Sequence, residues 1–210
     1  MTEDLIQGSE EWHLARLGKV TASRIADLTA QTKSGYSTSR ANYMAQLIVE
    51  RLTGRQTDTF VNDAMRWGTE KEPEACAAYA FMKDADLTEV GFVIHPAIPD
   101  AGASPDRYVG ADGSLEVKCP ITATHIDTLL DGRVPARYVS QMQWQMACSG
   151  RAWCDFVSFD PRLPASMQLF VKRVFRDEET IKTLEAEVRA FLQEMDAKLA
   201  SLRGKYELAV

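Results

Sequence analysis

Two acidic residues and a lysine have a spacing that suits metal-assisted chemistry. Asp106 follows a proline, Glu116 comes ten positions later, and Lys118 follows Glu116 after one apolar residue. Residues 115–119 alternate between apolar and polar types, which predicts a half-buried strand. Because successive side chains of a strand point to opposite faces, we expect Glu116 and Lys118 to share one face. An Asp-Gly pair at positions 112–113 predicts a hairpin turn, which would bring Asp106 opposite Glu116 on the neighbouring strand.

Two carboxylates beside an ammonium group could assist hydrolysis of a phosphodiester. Mg²⁺ takes oxygen ligands and is often held by one or two carboxylates, water and the substrate's phosphate. The metal lowers the pKa of a bound water and neutralises charge on the phosphate. A lysine can orient or help deprotonate that water and stabilise the developing negative charge. The alternative is a solvated hairpin face with a Glu-Lys pair, and a D…ExK pattern taken alone arises by chance often enough to favour it.

Length and composition predict one globular domain over residues 1–210. The chain is 45% hydrophobic and 26% charged, which is typical of soluble proteins. It has no apolar run of membrane-spanning length, and its acidic first residues are unlike a secretory signal, so we expect a cytoplasmic protein. The net charge of −6 argues against a protein that coats nucleic acid indiscriminately. It permits a DNA enzyme whose basic residues line an enclosed channel.

Cysteine and histidine usage argues against a zinc site. The four cysteines form no CxxC pair, and only three histidines are present. We therefore expect buried thiols rather than a metal centre or a disulfide framework. His125 is expected to be a packing or surface residue rather than a catalytic base.

Hydrophobic periodicity predicts an α/β domain with a mixed sheet. Helices lie on both sides of the Glu116 strand in the sequence, so we expect this strand to be central. Pro73 predicts a kink or a start in the second long helix. The predicted helices cover 9–18, 23–28, 40–52, 62–84, 122–130, 135–148 and 177–202, and the predicted strands cover 90–96, 101–109, 115–119, 151–159 and 167–174, with a loop over 29–39.

Several polar residues on these elements are candidates for a site. Glu72 lies beside Pro73 and could face inward as an additional acid. Gln141 and Gln145 share a helix face at i, i+4, and an amide buried there needs a hydrogen-bonding partner. Arg16 and Ser23 could join a phosphate site at a helix N-terminus. The segment alone favours the plainer interpretation, in which Ser23 caps a helix and Arg16 pairs with a surface acid.

Several motifs in the same order resemble the YqaJ-type viral recombinase nucleases, the family of the phage lambda exonuclease within the PD-(D/E)xK superfamily. The resemblance runs from about Trp12 into the final helix. The matching stretches are 12–18 with 21–23, 67–68 with Glu72, 104–106, 115–120, Tyr138 with 141–143, and 160–162.

This resemblance implies a restriction-endonuclease-like α/β core, with a central mixed β-sheet flanked by helices. It implies a Mg²⁺-dependent exonuclease that digests one strand of linear double-stranded DNA 5′ to 3′. The products would be mononucleotides and a 3′ single-stranded tail for recombination by strand annealing. It further implies two Mg²⁺ ions that Mn²⁺ can replace, a homotrimeric ring, a single-strand annealing protein as partner, and a phage or prophage gene expressed in the bacterial cytoplasm.

The resemblance also assigns roles to particular residues. Met65 falls where the lambda enzyme has a leucine wedge, and Lys33 falls near a DNA-reaching loop where that enzyme has arginine. The implied metal ligands are Asp106, Glu116 and the backbone carbonyl of Val117; the other catalytic residues are Lys118, Glu72 and Gln141; the 5′-phosphate ligands are Arg16, Ser23 and Ser104; and the DNA contacts are Lys33 and Met65.

Two alternatives remain open at this point. The same core could serve an endonuclease, because the metal site does not distinguish internal from terminal cleavage, and activity on closed circular DNA would favour that enzyme. A catalytically silent DNA-end-binding protein is the second alternative. The presence of Asp106, Glu116 and Lys118 together argues against it.

Overall fold

The computed structural model describes residues 2–57 and 62–206. Seven α-helices and ten strands are assigned in these residues, with short 3₁₀ turns at Thr2–Asp4, Ala22–Arg24 and Ala165–Met167. The helices are α1 (Glu10–Arg16), α2 (Ile25–Thr29), α3 (Thr38–Thr53), α4 (Asp63–Lys83), α5 (Thr122–Asp131), α6 (Ala136–Ser149) and α7 (Glu178–Tyr206). The strands are β1 (Val20–Thr21), β2 (Gln31–Thr32), β3 (Gly35–Tyr36), β4 (Leu87–Thr88), β5 (Val93–His95), β6 (Ile98–Ala103), β7 (Arg107–Val109), β8 (Gly113–Lys118), β9 (Trp153–Phe159) and β10 (Leu169–Phe175).

The strand that carries Glu116 lies at the centre of a five-stranded mixed sheet, as predicted. The strand order is β10-β9-β8-β7-β4. The β8–β9 pair is parallel, with Glu116 opposite Phe156, and the other pairs are antiparallel. In the β7–β8 hairpin Arg107 is opposite Leu115, so the preceding residue, Asp106, reaches the level of Glu116. The predicted fold class is confirmed.

The single strand predicted over 101–109 is wrong, because the chain changes sheets there. β6 ends at Ala103 and belongs to a three-stranded sheet of order β1-β6-β5, whereas β7 begins at Arg107 in the larger sheet. Pro105 has no backbone N–H to give to a ladder, which suits an interruption. Ser104 and Asp106 therefore lie at the junction of the two sheets.

α4 runs continuously from Asp63 to Lys83 with Pro73 inside it, so the predicted start of a helix at Pro73 is wrong, and the predicted kink stays a prediction. A proline inside a helix removes one backbone hydrogen bond. Packing offsets that loss: Ala75, Cys76 and Tyr79 of α4 are buried against the apolar face of β8, which includes Leu115 and Val117. The predicted loop over 29–39 also contains structure, the short β2–β3 hairpin.

Local signals explain the ends of the helices near the site. The Ser9 hydroxyl accepts a hydrogen bond from the Trp12 backbone N–H at 3.2 Å and caps α1. Gly54 adopts the left-handed conformation that closes α3. The largest core cluster joins α2, α3, α6 and α7 to the smaller sheet, so the first helices are fixed against the helix that carries Gln141.

All four cysteines are free and buried, as predicted. Within residues 2–57 and 62–206, no helix has the length and apolar character needed to cross a bilayer.

Candidate active site

β8 presents Glu116 and Lys118 on the face opposite its apolar core contacts. The Lys118 ammonium forms an ion pair with Glu116 Oε1. The side chain of Glu116 is 1% exposed and that of Lys118 is 29% exposed, so the pair runs from the interior to the surface. The alternation of residue types predicted this arrangement correctly.

Asp106 joins the pair through the backbone of β8. Its Oδ2 accepts a hydrogen bond from the Val117 N–H at 2.6 Å, and its own N–H donates to the Leu115 carbonyl at 3.2 Å. Burial, together with the negative charge of Glu116, raises the pKa of Asp106 well above its usual value. The predicted proximity of Asp106 to Glu116 is therefore present.

Lys118 remains charged in this environment. Burial alone would lower the pKa of Lys118, but the charges of Glu116 and Asp106 outweigh that effect and raise the pKa above its usual value. The ammonium also lies 5.3 Å from the centre of the Tyr138 ring. In this state Lys118 donates hydrogen bonds rather than accepting a proton.

Two glutamines of α6 hold the Glu116 carboxylate from the other side. Gln141 Nε2 donates to Oε1 at 2.7 Å, and Gln145 Nε2 donates to Oε2 at 2.5 Å. Their i, i+4 spacing predicted a shared face. The role of Gln145 as a partner of Glu116 was not predicted, because the spacing identifies the face but not the strand it meets.

Glu72 lies near the group formed by Asp106, Glu116 and Lys118, and it bonds to an arginine. Arg107 Nη1 donates to Glu72 Oε1 at 3.4 Å and to the Asp106 carbonyl at 2.5 Å. Burial raises the pKa of Glu72, while the charges of Arg107 and Lys118 act in the opposite direction. Sequence analysis suggested that Glu72 could face inward, and its side chain is half-buried in the structure; the contact with Arg107, which connects Glu72 to Asp106, was not predicted.

The donor set fits a hard divalent cation that completes its shell with water and substrate. In the described ranges, 2–57 and 62–206, no three His, Cys, Asp or Glu side chains form a cluster that could hold a metal by themselves. Asp106 and Glu116 nevertheless place two carboxylates together in a buried site, and burial, together with repulsion between the two groups, raises the pKa of Asp106. A bound cation would relieve that repulsion. The oxygen ligands offered here, with the Val117 carbonyl on the same strand, are the type that Mg²⁺ prefers.

A small pocket next to this cluster brings Arg16 and Ser23 together with Ser104, which comes 88 residues after Arg16 in the sequence. Arg16, Ser23 and Ser104 line a pocket of about 150 Å³ together with Gln7, Trp12, Ala22 and Gln141. Arg16 Nη1 and Trp12 Nε1 each donate to Ser104 Oγ at 3.0 Å. Since both acceptor positions of the hydroxyl are used, the Ser104 O–H is left as a donor.

Arg16 brings a positive charge to this pocket, and the negative charge of Glu50 acts on it from a distance. Its guanidinium stacks over the Trp12 ring at 4.0 Å, and burial lowers the pKa of Arg16 to about 10. Within the described residues it has no ion-pair partner, so the expected surface acid is absent. The expected Ser23 cap is also wrong, because Arg24 occupies the N-cap of α2. A half-buried cation beside a free hydroxyl donor suits an anionic ligand.

Comparison with known proteins identifies the family. The YqaJ-like viral recombinase domain matches residues 11–152. The chain belongs to this family. The predicted resemblance is therefore confirmed.

Two structures of one exonuclease resemble this YqaJ-like protein over almost their whole length. The alkaline exonuclease LHK-Exo from Laribacter hongkongensis is 50% identical over 96% of this chain and 100% of that one, with a TM-score of 0.89. Its complex with dAMP has the same identity and coverage and a TM-score of 0.90. A phage-related exonuclease from Haemophilus somnus 129PT is 17% identical over 88% of this chain and 96% of that one, with a TM-score of 0.72, and shares the fold. The curated proteins include no match.

The remaining predicted residues of this YqaJ-like chain lie outside the carboxylate cluster. Met65 is in the first turn of α4, half exposed, and borders a groove of about 410 Å³ that also contacts Arg16 and Ser23. Lys33 lies in the exposed turn between β2 and β3. His125 is buried; its Nδ1 pairs with Ser158 Oγ at 2.7 Å and its Nε2 with the Met167 carbonyl at 2.9 Å, as expected of a packing residue.

Proposed function

We propose that this chain is a divalent-metal-dependent exonuclease, a single nuclease domain over 1–210 that acts in phage-type recombination. It digests one strand of linear double-stranded DNA from the 5′ end, releases mononucleotides and leaves a 3′ single-stranded tail. Family membership and the likeness to an exonuclease support a nuclease that acts in recombination.

One observation supports the end preference: two neighbouring sites share a side chain. The first is the pocket lined by Arg16, Ser23 and Ser104, called here the anion pocket, and the second is the carboxylate cluster of Asp106 and Glu116 with Lys118. Gln141 lines the pocket with Arg16 and Ser104, and its amide donates to Glu116. A terminal 5′-phosphate held by Arg16, Ser23 and Ser104 would therefore place a nearby phosphodiester at the carboxylates. Holding the end so close to the reacting group favours removal of terminal nucleotides over internal cutting.

Each residue of the carboxylate cluster has a different role in the proposed hydrolysis. Asp106, Glu116 and the Val117 carbonyl would hold Mg²⁺, or Mn²⁺ in its place, and a pair of such ions would supply Lewis acidity and an activated water. Lys118 orients the attacking water and donates to the charge that develops on the phosphate. Gln141 keeps the Glu116 carboxylate in place. Glu72, held near Asp106 through Arg107, would supply a further acidic group for a second ion.

The family resemblance supplies the rest of the proposal. A homotrimeric ring would enclose the DNA, which reconciles a net charge of −6 with DNA binding because positive charge is needed only inside the channel. Met65, at the edge of the groove beside Arg16, would separate the terminal base pairs, and Lys33 would contact the duplex. The tail produced would pass to a single-strand annealing protein in the bacterial cytoplasm.

The test compares DNA ends in the presence of Mg²⁺. Linear duplexes with 5′-phosphate and 5′-hydroxyl ends, together with a covalently closed circle, are incubated with the protein and with Lys118→Ala. We expect fast release of mononucleotides from the phosphorylated 5′ strand and loss of that activity in the variant. Equal cutting of closed circles would support an endonuclease, and end binding without cleavage would support the catalytically silent alternative.

A further inference from the structure

Gln145 is the buried neighbour of Glu116 to which sequence analysis gave no role. Its side chain is fully buried on α6, and its Nε2 donates to Glu116 Oε2 at 2.5 Å. The other carboxylate oxygen, Oε1, accepts from Gln141 Nε2 and from Lys118. Lys118 is partly exposed whereas Gln145 is fully buried, so the two oxygens of Glu116 have different environments.

The orientation of the Gln145 amide is fixed by a second buried group. Cys154, on the strand next to β8, lies with its Sγ at 3.8 Å from Gln145 Oε1. A thiol is a weak donor, so it favours the amide oxygen on its own side. The amide nitrogen is then turned toward Glu116, where a carboxylate needs a donor. Strand β9 therefore orients the amide that contacts the catalytic carboxylate.

We propose that Gln145 is a positioning residue that holds Glu116 Oε2 toward the interior and thereby fixes the orientation in which the Glu116 carboxylate would bind a divalent cation. This inference rests on the proposed function, in which Glu116 is a metal ligand. Residues that hydrogen-bond to metal ligands fix the orientation of the ligand, and their loss commonly weakens metal binding about 10- to 100-fold. Without Gln145, Oε2 would be buried without its donor, and the carboxylate would gain freedom to rotate away.

The variant Gln145→Met removes the donor while keeping a long, unbranched side chain. Gln143→Met is the matched control, because Gln143 is also buried on α6 but bonds to the Phe175 carbonyl at 2.8 Å and to the Asp177 N–H at 2.9 Å, away from Glu116. Mn²⁺ is titrated calorimetrically into each DNA-free protein, and Asp106→Ala identifies the site. We expect at least a tenfold weaker Mn²⁺ affinity in Gln145→Met and an affinity within about twofold of the wild type in Gln143→Met.

A kinetic measurement separates positioning from general destabilisation. Cleavage of linear duplex is measured against Mg²⁺ concentration at a temperature where both variants are folded. Gln145→Met should need at least about tenfold more Mg²⁺ for half-maximal rate and should recover much of its rate at high Mg²⁺. If Gln145→Met does not fold, Gln145→Asn takes its place, since its shorter side chain keeps an amide but withdraws it from Oε2.

The outcomes distinguish this inference from the proposed function. Asp106-dependent Mn²⁺ binding in the wild type, with equal affinity in the Gln145 variant, would overturn the positioning role and leave the nuclease proposal standing. A similar loss of affinity in both Gln143→Met and Gln145→Met would also overturn it, since the effect would then come from α6 as a whole. If the wild type binds no Mn²⁺ through Asp106, the metal site itself is refuted and the inference with it.

Discussion

Arg16→Gln should remove the preference for phosphorylated ends. Arg16 is a half-buried cation that hydrogen-bonds to Ser104 and, within the described part of the chain, pairs with no acid. A hydrogen bond between charged groups contributes about 1.5–3 kcal/mol. Taking about 2 kcal/mol for the contact with a terminal phosphate, at 1.36 kcal/mol per tenfold change in rate, gives about a 30-fold loss. That loss applies only to phosphorylated ends, because a 5′-hydroxyl end carries no charge that Arg16 could contact.

The folded protein should tolerate this change. The lowered pKa of Arg16 shows that burial works against its charge, and a neutral glutamine removes that cost. The stacking of the guanidinium on Trp12 contributes about 0.5–1 kcal/mol in the opposite direction. The two effects are of opposite sign, so we expect only a small change in the free energy of unfolding.

The assay measures kcat/KM for mononucleotide release from duplexes with 5′-phosphate and with 5′-hydroxyl ends. The ratio of the two values should fall about 30-fold in Arg16→Gln, almost entirely through the phosphorylated substrate. Arg24→Gln is the control, because Arg24 borders the neighbouring groove but already pairs with Asp27 at 2.7 Å. Its ratio should stay close to that of the wild type.

One result would refute this use of the pocket. If Arg16→Gln slows both substrates equally, Arg16 contributes to folding or to general DNA binding rather than to recognition of the terminal phosphate. The same conclusion would follow if Arg24→Gln lowered the ratio as much as Arg16→Gln.

Three further changes test catalysis, packing and pH dependence. Lys118→Ala should slow cleavage at least about 100-fold while gel-shift assays still detect binding to 5′-phosphorylated ends. Gly113→Ala should lower the free energy of unfolding in urea by about 1–3 kcal/mol, because an added Cβ would lie 2.2 Å from the Trp153 ring; an unchanged midpoint would contradict this packing. Burial alone would raise the pKa of Asp160, but hydrogen bonds from Arg162 outweigh it and lower the pKa from 3.8 to about 2. An acid whose pKa is lower in the folded state stabilises the fold at a pH above its pKa in the unfolded chain. Asp160→Asn should therefore lower the free energy of unfolding by about 2 kcal/mol at pH 7. The difference in unfolding free energy between this variant and the wild type should shrink as the pH falls from about 4 toward 2.

Local patterns predicted the elements that depend on local interactions. The apolar spacing of α7 matches its buried stripe, which includes Ile181, Val188 and Phe191. The prediction of a single strand over 101–109 was wrong because the sheet that a strand joins depends on residues distant in the sequence. β6 pairs in parallel with β1, where Ala101 is opposite Val20, and nothing within residues 101–109 specifies that partner.

The anion pocket could not be found from spacing. Arg16 and Ser104 are 88 residues apart and meet only because α1 packs near the end of β6. Read by themselves, Arg16 and Ser23 suggested a surface ion pair and a helix cap, and neither is present among the residues that the structure describes. The resemblance to a known family predicted this grouping, since it records which distant residues act together.

The carboxylate cluster contains one feature that the motif around Glu116 does not predict, the separate surroundings of the two carboxylate oxygens. The alternation around Glu116 predicts which face the side chain takes, and that prediction is correct. It treats the carboxylate as one group, although the fold separates its two oxygens by placing Lys118 beside Oε1 and Gln145 beside Oε2. That separation comes from the packing of α6 against the sheet, with Cys154 of β9 orienting the amide. A sequence motif can therefore identify the residue and its face of the strand, but the tertiary structure determines the environment of each carboxylate oxygen.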